Sequence, residues 1–541
     1  MKRMSRIICT LALLLMSLSA ALPANAALKT RSATIDPATG YPTWYQDTNN
    51  LALTNCLDQN GFCLAAFTGA ALPTAKANIS AANFPEESFF FMADTSGVSP
   101  LGVISLTLWE AALEAGFAAT VVDGGQAVFT RIRIRADVTV PGTYVVTHPY
   151  GEETFVVDAI VPGPEINFTN DIPGLVPQDF DSAVTPPPAF TAPFVGPTFL
   201  TRADGTFITD PVTGNRYIGQ PAAPVAVTGS PTGNNFVRIV GGGDTFLSTT
   251  FGLQGKVIGM DVTPATSLNL GGTNIITPAA VPQTVTVTNT TGAAITFPAD
   301  LNAAGVKGGA DATDFTVVAP AAVGAVNCAG ATVAALNPAV AGSGTCSFDI
   351  TFTPAAIAKA VRTATVLLAP TAVAPALAPP PVTLNLSGTG LVNVTTTAVG
   401  HGTITPATLA APAASTVELT VTPSNKKFKI KDVSDATTAA TALVTGPPFT
   451  INAGAANHAV TATFMPSGDL DQSGALDVAD AMKALKIVAG VQAADSDDPD
   501  NTAVKVAPLA GGVPAPDATR VLPNIADVLV ILRRVIGLET W

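Results

Sequence analysis

The sequence predicts a mainly β, multi-domain protein made of β-sandwich modules, with a small α-helical domain at its C-terminus. Short segments rich in Val, Ile, Thr and Phe alternate in polarity, as in QTVTVTN from Gln283 and CSFDITFTP from Cys346, and turn residues separate them. Proline-rich stretches at 182–197 and 369–381 interrupt this pattern, and proline is disfavoured inside helices and interior strands. Helical periodicity is concentrated in the region after residue 467.

The chain is long enough for several separate cores, since 541 residues exceed the size of one ordinary domain. Changes in composition and pattern mark the expected boundaries. The predicted segments are 1–26, an export signal; 27–255, a β-rich domain; 256–390, a sandwich; 391–466, a small β module; and 467–541, the helical domain.

The first 26 residues have the pattern of a signal peptide. Cationic residues come first, an apolar run follows at 7–16, and the small residues at 24–26 make a cleavage site before Ala27. The mature chain is therefore expected to be secreted, outside the cell or at its surface. The later sequence predicts no membrane span, because polar residues and prolines break every apolar run.

The charge balance favours cations as ligands. The formal net charge is −13, and loss of the three cationic residues of the signal would make it −16. Such a surface repels nucleic acid and anionic membranes, so neither is expected as a partner.

The four cysteines of the predicted mature chain fall into two local pairs. Cys56 lies near Cys63, and Cys328 lies near Cys346. In an oxidising compartment this spacing predicts two small disulfide loops.

The stretch GDLDQSGALDVAD, from Gly468, concentrates acidic residues in a chain with only 12% charged residues. Calcium prefers six to eight oxygen ligands, which a twelve-residue loop supplies from alternating side chains, a backbone carbonyl and a final carboxylate. Gly474 at the sixth position would allow the sharp turn. The predicted ligands are Asp469, Asp471, Ser473, Ala475 through its carbonyl, Asp477 and Asp480.

A simpler interpretation is that Asp477 and Asp480 cap the helix that follows. It leaves Asp469, Asp471 and Gly474 unexplained, and crowded carboxylates repel one another. The sequence therefore favours calcium, with helix residues Met482, Leu485 and Val488 expected on one apolar face.

A second, incomplete copy of the acidic loop and its helix follows. Its helix is expected to pack through Val528, Leu532 and Val535. The candidate ligands of this second, doubtful calcium site are Asp517, Asn524 and Asp527. Arg520 lies inside that loop and would oppose a divalent ion.

A loop of this kind, followed by one helix and repeated, resembles the dockerin type I repeat. That resemblance implies an EF-hand-like domain and a cohesin-like protein partner bound through the tenth and eleventh loop positions. Those positions are Val478 and Ala479 in the first copy and Ile525 and Ala526 in the second.

Two other segments resemble bacterial modules. The order VTVTNT, DFTV, a cysteine-bracketed loop, SFDITFTP and LSGTG in 256–390 resembles the Ig-like choice-of-anchor D domain. Residues 391–466 are similar to the β-repeat found beside internalin-type proteins, with KIKDV where that repeat has an aromatic-Gly-Trp element. Both resemblances imply non-catalytic β modules.

The sequence of the N-terminal domain indicates the least about function. Its PTWYQD and THPYGEETF elements resemble only uncharacterised secreted proteins, and its pattern predicts mostly strands, with one helix at 106–115. The acidic pairs at 86–87 and 152–153 offer carboxylates of the kind that glycosidases use. Adjacent glutamates on a strand point to opposite faces, however, and favour a solvated hairpin.

Two functions remain open from the sequence. The first is a non-catalytic secreted protein that binds calcium through its C-terminal module and uses that module for attachment to another protein. The alternative is a carbohydrate-active hydrolase or carbohydrate-binding protein of polysaccharide degradation with the same tail. With three Trp in the chain, the first is favoured, because sugar sites rely on exposed aromatic rings.

Overall fold

The computed structural model describes residues 27–64, 72–185, 193–264, 266–337, 340, 342–372, 378–437, 441–516 and 519–541. The predicted signal peptide lies outside the described residues, as does Asp517. The described chain is mainly β, as the alternating segments predict.

The first part of the chain builds three sheets, within the described residues, around one large core. Its strands are β1 (Thr30–Arg31), β2 (Tyr45–Gln46), β3 (Ala52–Thr54), β4 (Glu87–Val98), β5 (Ile104–Phe117), β6 (Gln126–Val138), β7 (Gly142–His148), β8 (Gly151–Val157), β9 (Ile166–Ile172), β10 (Thr201–Arg202), β11 (Ile208–Thr209), β12 (Arg216–Tyr217), β13 (Val225–Thr228), β14 (Val237–Gly241), β15 (Asp244–Ser248), β16 (Thr250–Gln254) and β17 (Lys256–Val257). A 3₁₀ turn at Lys76–Asn78 precedes β4. The sheet orders are β1-β2-β3-β17-β12-β11, β10-β13-β16-β4-β5-β6-β9 and β15-β14-β7-β8.

The helix predicted at 106–115 is wrong. This segment belongs to β5, which pairs antiparallel with β4 on one side and β6 on the other. Most of its side chains are buried on both faces, including Trp109 and Leu113. A strand buried on both faces loses the alternation that identifies a strand, so its sequence is easily read as a buried helix.

The second part forms a sandwich whose core includes Val285, Phe348 and Val366. Its strands are β18 (Met260–Thr263), β19 (Ser267–Asn274), β20 (Gln283–Asn289), β21 (Ile295–Thr296), β22 (Lys307–Gly308), β23 (Phe315–Val318), β24 (Thr332–Val333), β25 (Thr345–Phe352), β26 (Val361–Leu368) and β27 (Thr371–Ala372), with a 3₁₀ turn at Ala312–Asp314. Disulfides join Cys56 to Cys63 in the first part and Cys328 to Cys346 here.

One long strand, β28 (Val382–Val399), connects the sandwich with the next module. Its first half pairs with β26 and its second half with β35 (His458–Pro466). It therefore runs through the predicted boundary at residue 390, and two cores share one strand. The other strands here are β29 (Gly402–Thr405), β30 (Thr408–Pro412), β31 (Ser415–Pro423), β32 (Phe428–Thr437), β33 (Thr441–Leu443) and β34 (Phe449–Ala453).

The C-terminal part contains helix α1 (Val478–Val488), a short hairpin of β36 (Leu509–Ala510) and β37 (Val513–Pro514), and helix α2 (Ile525–Val535). Among the described residues, no helix has the length and apolar character needed to cross a membrane. A small core collects residues from both helices and their loops, together with Phe428 of β32 and the terminal Trp541.

The predicted helix faces are confirmed in part. In α1, Ala481 and Ala484 are buried, whereas Met482 and Leu485 are 50% and 41% exposed. In α2, Val528 is buried as predicted, together with Ile531, whereas Leu532 is 38% exposed. Val488 and Val535 pack against this core, as predicted.

Candidate metal centre

Three carboxylates converge in the loop before α1. Asp469, Asp471 and Asp480 each offer one oxygen, and these oxygens lie within 4.8 Å of one another. Asp469 and Asp480 are buried, and Asp471 is exposed. The loop is thus a partly buried acidic cluster that opens to solvent on the side of Asp471.

Backbone amides hold this cluster in place. The two oxygens of Asp469 accept hydrogen bonds from the amides of Ser473, at 3.0 Å, and Gly474, at 2.8 Å. Asp480 accepts from the amide of Leu470, at 2.7 Å, through Oδ1. Gly474 has φ of +91°, a conformation that costs a side chain roughly 1–2 kcal/mol, so glycine suits this turn.

The other predicted ligands lie in the same loop with different partners. The Ser473 hydroxyl donates to the carbonyl of Ala475 at 3.1 Å. Asp477 is the N-cap of α1, accepts from the amide of Ala479 at 2.7 Å, and forms a capping box with Asp480. Capping therefore does occur, but it does not involve Asp469 or Asp471.

Burial raises the pKa of Asp480, although backbone amides at its carboxylate oppose this. A backbone hydrogen bond from Ser473 lowers the pKa of Asp471. Within the described chain, no lysine or arginine side chain forms an ion pair with Asp469, Asp471 or Asp480. The cluster therefore has negative charge without a contacting side-chain cation.

A buried lysine fixes this module to the β module before it, a feature that the sequence interpretation missed. The Lys427 side chain is 2% exposed and forms ion pairs with Asp495 and, at 2.6 Å, Asp497. Lys483 of α1 also contacts Asp495, at 2.8 Å. The acidic run after α1 was the available signal, because clustered aspartates need cationic partners.

The second half repeats the geometry around its final carboxylate. Asp527 accepts from the amides of Val506 and Ala507 at 2.8 Å, as Asp480 does from the first loop. Asn524 caps α2 by accepting from the amide of Ala526 at 2.9 Å. By these bonds, Val506 corresponds to Leu470.

Two of the candidate ligands of the doubtful second calcium site, Asn524 and Asp527, have partners within the chain. Lys505 corresponds to Asp469, since each precedes the first amide that binds the carboxylate. Arg520 donates to Asp527 at 2.7 Å. Asn524 is engaged as a helix cap, and the third candidate, Asp517, lies outside the described residues.

The predicted partner residues lie on the outer surface of the two helices. Val478 and Ile525 are 59% and 64% exposed, and Ala479 and Ala526 are exposed as well. The protein partner itself stays a prediction.

In the N-terminal domain, the candidate glutamates of the β7–β8 hairpin are paired within the sheet. Glu152 accepts from Thr147 at 2.9 Å, and Glu153 lies 2.7 Å from His148. These contacts are those of packed strands.

The other candidate pair, Glu86 and Glu87, is exposed and lines a surface cavity. Arg131 lies 3.5 Å from Glu87 and 2.8 Å from Glu114.

Glu114 is the most perturbed carboxyl of this domain. Its side chain is fully buried, and burial raises its pKa to about 9, while the neighbouring Arg131 acts in the opposite direction. Asp171 accepts two hydrogen bonds from the same guanidinium, at 2.7 and 2.9 Å.

The three histidines of the chain all contact other side chains within the described residues. His458 is buried and lies 2.7 Å from Asp435, and His401 stacks on Phe428. The side-chain partners of His148, His401 and His458 in the described chain are Glu153, Thr502 and Asp435. None of these histidines is hydrogen-bonded there to a serine hydroxyl.

Comparison with known proteins identifies no family for this chain. No family model matches the sequence, and no curated protein matches it. Among solved structures, the chain is similar to the VesB protease of Vibrio cholerae, with 12% identity, 55% of this chain and 95% of that chain covered, and a TM-score of 0.16. It is also similar to the secreted serine protease VesC of Vibrio cholerae, with 10% identity, 69% and 90% covered, and a TM-score of 0.17.

The matched structures are proteases, which differs from the predicted non-catalytic attachment protein, and that function is not proposed below. TM-scores of 0.16 and 0.17 establish no shared fold, and we infer no protease activity from them. What remains for a functional assignment is the acidic loop.

Proposed function

We propose that the chain binds calcium, with one ion held in the loop at residues 469–480. The observation that carries this proposal is the convergence of Asp469, Asp471 and Asp480 within 4.8 Å, with no ion pair to a lysine or arginine in the described chain. A divalent cation bound there would neutralise repulsion among the three carboxylates.

The donor set fits calcium. Carboxylate oxygens are the hard ligands that this ion prefers, and the loop adds the Ser473 hydroxyl and the Ala475 carbonyl nearby. Magnesium demands a tighter octahedral arrangement and gives up its waters reluctantly, so a loop that offers carboxylate, hydroxyl and carbonyl oxygens favours calcium. Asp477 serves as the helix cap and holds the loop against α1.

The EF-hand-like character of residues 467–541, of the dockerin type, belongs to the same proposal. Its support is the repeated arrangement of a loop, a capping box and an eleven-residue helix in both halves. The resemblance of residues 1–26 to an export signal supports release into a compartment where calcium is plentiful.

The test is calorimetric titration of calcium into the chelator-treated mature chain. The proposal predicts saturable binding that is lost in Asp469→Asn. A matched control is Asp500→Asn, because Asp500 is exposed in the same module and lies outside the loop. Absence of binding by the parent chain would refute the proposal, and so would unchanged binding by Asp469→Asn.

A further inference from the structure

The two halves of the C-terminal module present the same buried carboxylate to different cations. Asp480 and Asp527 both have no exposed surface, and each accepts hydrogen bonds from two successive amides of its own loop. Each also accepts from the amide of its helix cap, at 2.9 Å in the first half and 2.7 Å in the second. The backbone around the two carboxylates is thus equivalent.

The side chains around them are not equivalent. Beside Asp480 lie the carboxylates of Asp469 and Asp471. At the corresponding positions of the second half stand Lys505 and Ala507, which removes two negative charges and adds a positive one. The two carboxylates that flank Asp480 therefore have no counterpart beside Asp527.

Arg520 fills the place beside Asp527. Its Nη2 donates to Asp527 at 2.7 Å and to the carbonyl of Ala507 at 3.0 Å, and its side chain is only 19% exposed. Lys505 in turn donates to the carbonyl of Arg520 at 3.4 Å. The guanidinium therefore bridges the final carboxylate and the third loop position, which are the two points that an ion would join in the first loop.

From this comparison we infer that Arg520 is a built-in cation that replaces the divalent ion in the second half, so that only the first half responds to calcium. For the first half of the module, this inference rests on the proposed calcium site. It makes the module an asymmetric pair, in which one loop is closed by an external ion and the other by a residue of the chain. Depletion of calcium would then loosen residues 469–480 and leave 505–527 folded.

The test combines stoichiometry with stability in the absence of calcium, both on the mature chain. Titration of the parent chain with calcium should give one site, and Asp471→Asn, at an exposed position, should weaken it at least tenfold. In chelator, Arg520→Met should lower the melting temperature of the module by about 5 °C or more, and added calcium should not restore the loss. Arg520→Lys, which retains the charge, should lose less.

Each result separates the inference from the proposed function. Absence of calcium binding by the parent chain would refute the proposed calcium site. The melting temperature of Arg520→Met in chelator would still test the role of Arg520. Two calcium sites in the parent chain would overturn the inference and leave calcium binding intact. A melting temperature for Arg520→Met in chelator within 1 °C of the parent value would also overturn it.

Discussion

Asp480 and Asp527 occupy equivalent positions in two loops of different length. Each accepts hydrogen bonds from two successive backbone amides of its loop. In the first half these belong to Leu470 and Asp471, ten and nine residues upstream, and in the second half to Val506 and Ala507, twenty-one and twenty residues upstream. The extra residues of the second loop include the β36–β37 hairpin. One carboxylate faces an acidic cluster, and the other faces an arginine.

Calcium should stabilise the C-terminal module. A ligand present at a hundred times its dissociation constant adds about 2.7 kcal/mol to the free energy of unfolding. We therefore expect calcium to raise the melting temperature of the mature chain's module by several degrees and to have no such effect on Asp471→Asn. Differential scanning calorimetry with calcium or chelator measures both.

Asp500→Asn is the matched control, and its calcium response should equal that of the parent chain. If Asp471→Asn keeps the full calcium-dependent rise, the ion binds elsewhere.

The buried Lys427 should hold the helical module on the β module. Lys427→Met removes the buried ammonium and leaves Asp497 without its lysine partner, whereas Asp495 keeps its ion pair with Lys483. Breaking an ion pair costs about 3–5 kcal/mol when burial is complete. Since Asp495 is 27% and Asp497 38% exposed, we expect a smaller loss, of about 2 kcal/mol, in the free energy of unfolding of the C-terminal module. Denaturant unfolding followed through Trp541, which lies in that core, reports it.

Lys431→Met provides the comparison, because Lys431 is an exposed lysine of β32, the strand that begins directly after Lys427. Equal losses in the two variants would mean that the ion pairs of Lys427 contribute nothing specific.

In the sandwich, Arg362 and Asp314 form a buried ion pair. Their side chains are 1% and 5% exposed, and Nη1 lies 2.7 Å from Oδ2. Arg362→Met leaves the carboxylate buried and unpaired, so we expect the sandwich to lose about 3–5 kcal/mol of its free energy of unfolding. Denaturant unfolding monitored by circular dichroism gives the value.

The double variant Arg362→Met with Asp314→Leu removes both charges and should recover much of that loss. A double variant no more stable than Arg362→Met would show that packing, not the unpaired charge, accounts for the effect.

The stability of the N-terminal domain should fall as pH rises. Burial raises the pKa of Glu114 from 4.5 to about 9, so the folded state keeps a proton that the unfolded state releases. The stabilisation is fully present below pH 4.5 and is lost as pH rises towards 9, with a slope of at most about 1.4 kcal/mol per pH unit. Thermal unfolding between pH 5 and 9 measures this slope.

Glu114→Gln should flatten that dependence, because an amide has no proton to lose in this range. Glu86→Gln, at an exposed neighbouring position, should leave the slope unchanged. A slope that is the same for Glu114→Gln and the parent chain would contradict the assignment to Glu114.

Sequence periodicity was sufficient for the strands with one solvated face. QTVTVTN alternates because one side of β20 is buried and the other is not, and the strand spans Gln283–Asn289 as expected. Sequence periodicity did not identify β5 as a strand, because both of its faces are buried and the alternation disappears. In α1 the prediction relied on the large apolar side chains, whereas the buried residues are the small Ala481 and Ala484.

For the metal centre, spacing within the first loop was informative because all three clustered carboxylates lie within twelve residues. The second loop was misaligned at Asp517, because the inserted hairpin moves its first position to Lys505. Val506, an apolar residue matching Leu470 in the core, was the signal that could have fixed the alignment. The ion pairs of Lys427 join residues far apart in sequence, so the acidic run after α1 indicates that a cation is needed but does not identify Lys427 as that cation.

The most direct measurement of the central claim is hydrogen exchange of the mature chain, resolved by peptide, with calcium and with chelator. The account predicts that calcium slows exchange in 469–480, including the amides of Ser473 and Gly474, and leaves 505–527 unchanged. Equal exchange with calcium and chelator throughout 469–480, or protection that appears in 505–527 instead, would contradict it.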